Sequence, residues 1–215
     1  MNKKLKNILI SIAKKYQTKN DPSHDFQHIL RVLNLAEKIT KKEKADLDIV
    51  TPAALFHDII VYPKNSKESN NAAGESAEFA EKVLRKVPEY PKEKTDKVKI
   101  CIEQCSFSKG IIPDFLEAKI LQDADSLEAT GAISIMRTFS SGGQMNRPFY
   151  DPRDPFCKEG TVAFRSGLDL FYRRLLLVGD KMYTSTAKRI AKRRSKFLHA
   201  FLEELKVELH ESRII

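Results

Sequence analysis

Apolar residues recur three and four apart along almost the whole chain, the spacing of one face of an α-helix, while strict apolar-polar alternation is scarce. The pattern predicts helices over 3–17, 24–44, 48–61, 69–87, 92–105, 113–129 with a continuation to about 139, 159–178 and 184–211. Turn chemistry separates them: Asp21-Pro22-Ser23, Tyr62-Pro63-Lys64-Asn65, the Pro88 and Pro91 pair, and Lys109-Gly110. Residues 140–156, with Gly142, Gly143, Pro148, Pro152 and Pro155, read as an irregular stretch too rich in Gly and Pro for a helix. Loops of that length are usually functional or disordered, and its aromatic residues favour order. The expected fold class is all-α, a single-domain helical bundle, and 215 residues suffice for one sizeable core.

Within this pattern the run Ala53-Ala-Leu-Phe-His57-Asp58-Ile-Ile-Val61 is anomalous, because a stretch built to be buried carries two ionisable residues. Such groups cost several kcal/mol when buried without partners, so they pair, hydrogen-bond or hold a metal. On a helix, His57 shares a side with Ala53, Ala54, Ile60 and Val61, and Asp58 is rotated about 100° onward, which suits adjacent ligand positions. The helix over 24–44 has its apolar face at Ile29, Val32, Leu33, Ala36 and Ile39, and His28 borders that face. In Ile120-Leu-Gln-Asp123-Ala-Asp125-Ser-Leu127, Asp125 stands one turn from Leu121. Two imidazoles and two carboxylates from three helices would make a mixed nitrogen and oxygen metal site with open positions for water or substrate. Taken singly, each has a plainer reading, as a core histidine bonded to a carbonyl or an aspartate capping a helix. Their coincidence on core-facing positions favours the site.

The order His28, His57-Asp58, Asp125 resembles the H…HD…D signature of the HD-domain metal-dependent phosphohydrolases. Ser23-His-Asp-Phe-Gln-His28-Ile-Leu-Arg-Val32, Ala53 to Ile59, Glu117 to Ala129 and the Gly-Gly loop from Arg137 to Pro152 are similar to a branch of small, single-domain bacterial members. The resemblance implies one HD domain over 1–215, with a motif core at 23–155 and C-terminal helices at 159–211. It implies that His28, His57, Asp58 and Asp125 are the metal ligands; Asp125 rather than Asp123 matches the family's Ala-Asp-x-Leu. His24 forms an i, i+4 couple with His28 that could also grip a metal; because it precedes the regular helix, it is placed behind the ligands or near substrate. The implied activity is hydrolysis of nucleotides, or of other phosphate esters and pyrophosphates, by metal-activated water. Asp58, His24 and Asp123 are the candidate catalytic residues, and Lys64, Lys109, Arg137 and Arg147 are the candidate phosphate-binding cations. The implied cofactor is one divalent ion, Mn²⁺ ahead of Fe²⁺, Co²⁺, Ni²⁺ or Zn²⁺, with Mg²⁺ less suited to imidazole ligands.

The chain departs from the family at Cys105, where the similar segment carries a histidine before Ser-Phe-Ser, and at Ser126, where arginine is usual. A thiol of ordinary pKa does not replace an imidazole as a proton donor near neutrality. The competing expectation is therefore a catalytically weak HD-domain protein, serving as a metal-containing regulatory or nucleic-acid-binding module.

Composition narrows the picture further. The chain is 41% hydrophobic and 31% charged, and no apolar run approaches the roughly 18 residues of a membrane span, so no membrane partner is expected. The N-terminus opens like a leader peptide, but lysines return at 14 and 15, and it reads as an amphipathic first helix. Cysteines 101, 105 and 157 match no disulfide or zinc framework and fit a reducing cytoplasm. The net charge of +9 permits nucleic acid, phosphorylated small molecules or an anionic surface. Its densest block, Lys188 to Lys196, reads as the solvated face of the last helix, since no aromatic residues interleave the charges; nucleic acid is the less favoured alternative. The expected partner is a phosphorylated small molecule, a nucleotide first, bound by a monomer or homodimer.

Overall fold

The computed structural model describes residues 1–17, 25–62, 66–106, 110–158 and 165–214. Among them there is no strand; the elements are helices, as the periodicity predicts. The chain divides into two compact units, Met1–Asp125 and Ser126–Ile215.

The first unit contains α1 (Lys3–Tyr16), α2 (Phe26–Glu43), α3 (Leu47–Phe56), α4 (Ala72–Lys86), α5 (Thr95–Glu103) and nearly all of α6 (Leu116–Ser126). The central helix is α3, which packs on α1, α2, α4 and α5. Its composition explains this: all eight residues from Ile49 to Phe56 are buried, so α3 has no solvent face and must be enclosed by neighbours. Each neighbour contributes one apolar stripe, Leu5 and Leu9 from α1, Ile29, Val32 and Leu33 from α2, Leu84 from α4, Val98 and Ile102 from α5.

Pro52 lies inside α3 and lacks the N–H that would bond the Asp48 carbonyl one turn earlier. The buried Tyr90 hydroxyl donates to that carbonyl at 2.9 Å instead. Lys94 grips the start of α3 from outside, with Nζ 2.8 Å from both Asp46 and Asp48.

The second unit contains α7 (Gly131–Gln144), the short α8 (Gly167–Leu170), a π-helical turn (Phe171–Leu175), α9 (Leu176–Val178) and the long α10 (Ser185–Glu211). Its core is Leu168, Phe171, Leu175, Leu198 and Leu202, with Phe171 stacked on Phe201 at a centroid distance of 5.6 Å. The chain at 148–149 is tied to α8 through the Gly167 and Leu168 N–H groups, both at 2.9 Å from carbonyl oxygens. Asp169 secures the same corner: its carboxylate accepts from the N–H of Arg165 and Ser166 and from the Cys157 thiol.

Two boundaries differ from the sequence expectation. Helix α7 runs on through Gly142 and Gly143 to Gln144, so part of 140–156 is helical. Glycine costs about 1 kcal/mol in a helix interior, and the burial of Ser141 and Gly142 on the packed side offsets it. Helix α3 ends at Phe56 rather than near 61, with consequences for the site.

Candidate metal centre

Three local structures bring the ionisable residues together. In α2 the N-cap is Asp25, whose Oδ1 accepts from the His28 backbone N–H at 2.9 Å, so His28 is fixed in the first turn with its ring buried. In α3 the last helical residue is Phe56; His57 is the C-cap and Asp58 lies in the turn that follows. The Ile59 N–H bonds the Phe56 carbonyl, a tightened i to i+3 contact. Ser76 of α4 then takes over, its Oγ accepting from the Ile60 N–H at 3.2 Å. The turn, not a continuing helix, sets the relation between His57 and Asp58. The third contribution is Asp125, near the end of α6, whose buried stripe is Ala118, Ile120, Leu121 and Ala124.

The result is a close quartet. His28 Nε2 lies 3.6 Å from Asp58 Oδ2 and 3.7 Å from Asp125 Oδ1. His57 Nε2 lies 3.7 Å and 3.9 Å from the same two oxygens. The two rings are 5.5 Å apart at their centroids. Ligand atoms of His28, His57 and Asp125 all fall within 4.8 Å of one another. The imidazoles are at the bottom, essentially without solvent contact, whereas the side chains of Asp58 and Asp125 remain 34% and 27% exposed. One side of the quartet therefore faces water.

The donor chemistry fits a cation. His57 Nδ1 is 2.9 Å from the Ala54 carbonyl oxygen, which only accepts, so Nδ1 carries the ring proton and Nε2 presents its lone pair. That Nε2 is buried and makes no hydrogen bond. A buried acceptor left so is costly unless something else completes it. Ligands about 2.1 Å from an ion stand about 3.0 Å apart at right angles and about 3.4 Å apart at tetrahedral angles. The observed separations, from 3.6 to 3.9 Å, exceed the tetrahedral spacing by a few tenths of an ångström and the right-angle spacing by less than about 1 Å, so the carboxylates would move inward to close on an ion. They are too long to be direct hydrogen bonds.

The other sequence candidates divide. Asp123 is buried on α6, about 200° around the helix from Asp125. Arg137 belongs to the second unit, with its guanidinium 4.0 Å from the buried Glu128 carboxylate. Arg147, in the same unit, donates its backbone N–H to the Gly142 carbonyl. His24, Lys64 and Lys109 lie outside the described residues. Cys105 is buried at the end of the α5 segment. Burial pushes its thiol well above the ordinary range, and the Asp125 and Asp58 carboxylates push it further, so at neutral pH it is a neutral thiol beside the quartet.

Two supporting residues were not foreseen. Gln122 Nε2 donates to the carbonyls of Gln104 and Ile111, at 2.9 and 3.1 Å, tying α6 to the end of α5. Ser76 holds the turn after Asp58. The available signal was the same in both cases, a polar residue at an apolar position of its helix.

Comparison with known proteins agrees with the all-α fold. The HD domain family matches residues 25–130. YpgQ of Bacillus subtilis (strain 168) is 32% identical over 198 residues, 89% of this chain and 87% of that protein. The crystal structure of B. subtilis YpgQ in complex with ADP is similar at a TM-score of 0.73 and 30% identity, covering 95% of each chain. An HD-superfamily hydrolase from Bacillus thuringiensis has a TM-score of 0.71 and 29% identity, covering 96% of this chain and 97% of its own.

Proposed function

Since the chain belongs to the HD-domain phosphohydrolase family, we propose that it hydrolyses nucleotides, with one divalent ion held by His28, His57, Asp58 and Asp125. The observation that carries this reading is the buried His57 Nε2, its lone pair left free by the Nδ1 bond to the Ala54 carbonyl and lying 3.7 and 3.9 Å from two partly exposed carboxylates. The ADP complex of B. subtilis YpgQ supports a nucleotide as the substrate class. Mixed imidazole and carboxylate donors suit Mn²⁺ best, with Fe²⁺, Co²⁺, Ni²⁺ and Zn²⁺ behind it. Three free thiols accord with a cytoplasmic setting.

A bound ion supplies positive charge that polarises a phosphoryl oxygen and acidifies water. The chain's own groups do the rest. His28 and His57 form the dry floor, which keeps the carboxylates' field strong. Asp58 and Asp125 face solvent, where a phosphate enters. Asp123 and His24 are the candidates to move protons, and Lys64 and Lys109 to hold phosphate oxygens.

Cys105 favours a second reading, a catalytically weak regulatory module, because a neutral buried thiol stands where the family has a histidine. One experiment separates the two: phosphate and pyrophosphate release from a nucleotide panel with Mn²⁺, for the wild type and Asp58→Ala. Turnover abolished by the substitution supports the hydrolase. Metal retention without turnover of any nucleotide supports the module.

A further inference from the structure

The second unit holds most of the excess charge, sixteen basic against ten acidic residues, and its longest helix concentrates it. Between Ser185 and Leu202 helix α10 contains no acidic residue. Its basic block does not act as one unit. Arg194 turns inward, with Nη1 2.7 Å from the Leu127 carbonyl and its chain against Gly131, so it is a structural residue. Lys188, Arg189, Lys192, Arg193 and Lys196 are exposed, and among the described residues none of them forms an ion pair. On a helix these five span an arc of about 140° and about 12 Å of axis. Unpaired like charges this close repel one another, a cost that a polyanion would relieve.

The shape selects among polyanions. The apolar face of α10, Ala187, Ala191, Leu198 and Leu202, is buried inside its own unit, so the helix has no free apolar side to insert into a lipid surface. Single strands are gripped by grooves with several stacking aromatics, whereas the exposed aromatic residue within the basic stretch of α10 is Phe197 alone. A helix with an exposed basic face matches the roughly 12 Å major groove of duplex DNA, while the deep, narrow major groove of duplex RNA excludes it. We infer that the Lys188–Lys196 face of α10 binds duplex DNA through its phosphates, without sequence preference.

The test uses the full chain, a fluorescein-labelled 20-base-pair DNA duplex and fluorescence anisotropy over a range of salt. One variant replaces Lys188, Arg189, Lys192, Arg193 and Lys196 by Gln, leaving Arg194 in place. A control replaces the exposed Lys3, Lys14, Lys41, Lys42 and Lys86 by Gln, which gives the same net charge. Circular dichroism confirms that both are folded. The wild type and control should bind alike, and the α10 variant should bind at least tenfold more weakly. Its log K against log salt slope should be shallower by about 0.9 for each phosphate that is no longer neutralised, up to about 4.5. Absence of wild-type binding at 50 mM salt, equal weakening in both variants, preference for a 20-nucleotide single strand, or binding to phosphatidylserine vesicles but not to duplex would each overturn the inference.

Discussion

Tyr90→Phe tests whether the helix that carries His57 is held as described. The substitution removes one hydroxyl from a ring that is 2% exposed and leaves its packing intact, so no cavity enters the balance. What disappears is the 2.9 Å hydrogen bond to the Asp48 carbonyl, the acceptor that Pro52 cannot serve. A carbonyl deprived of its partner in a poorly hydrated position costs about 1–3 kcal/mol. Asp48 is half-buried, which places the expectation near 1.5 kcal/mol. For a chain of this size that corresponds to a fall in Tm of about 3–6 °C. Pro52→Ala restores an N–H at the position facing that carbonyl. The cost of Tyr90→Phe should therefore shrink in the Pro52→Ala background, with a coupling of about 1 kcal/mol in a double-mutant cycle read by urea denaturation. A Tyr90→Phe cost below about 0.5 kcal/mol, or an identical cost with and without Pro52, would refute the reasoning.

Other predictions follow from particular contacts. Gly131 has φ of +72°, and a Cβ there would lie 3.1 Å from the Arg194 side chain, so Gly131→Ala should destabilise the protein by about 1–2 kcal/mol, measured by urea midpoint. Burial alone would raise the Asp169 pKa, but hydrogen bonds from Cys157, Ser166 and Arg165 outweigh it and hold the carboxyl below its ordinary value. Because the folded pKa is the depressed one, this stabilisation is complete above the unfolded value of about 3.9 and is lost as pH falls through the folded one. Thermal melts of Asp169→Asn and wild type should thus converge as pH falls below about 4. If proton donation limits turnover, Cys105→His should raise kcat about 10–100-fold in the nucleotide assay; an unchanged kcat would separate the departure at that position from the rate.

The sequence made the α-class and the main helices legible because each helix buries a single stripe, as α2 and α10 do, and caps such as Asp25 and Thr184 mark their starts. The end of α3 was not legible. Ile59, Ile60 and Val61 continue the apolar run, and what stops the helix is tertiary, the Ser76 bond to Ile60 across from α4. The candidate site was readable as polar residues at core-facing positions, which is how His28, His57 and Asp125 stand out. The tautomer of His57 was not readable, since it depends on where the Ala54 carbonyl points. Nor could the sequence separate Arg194 from its basic neighbours, because only the close approach of Gly131 and the Leu127 carbonyl turns it inward.

The most direct test of the metal site is elemental analysis of purified protein after Mn²⁺ reconstitution and removal of free ion, for wild type, His57→Ala and Asp125→Asn, each checked for folding by circular dichroism. The quartet predicts about one ion per folded wild-type chain and, in either variant, affinity weakened by about 100-fold or more. A folded wild type that retains no ion, or variants that retain it as tightly, would contradict the account.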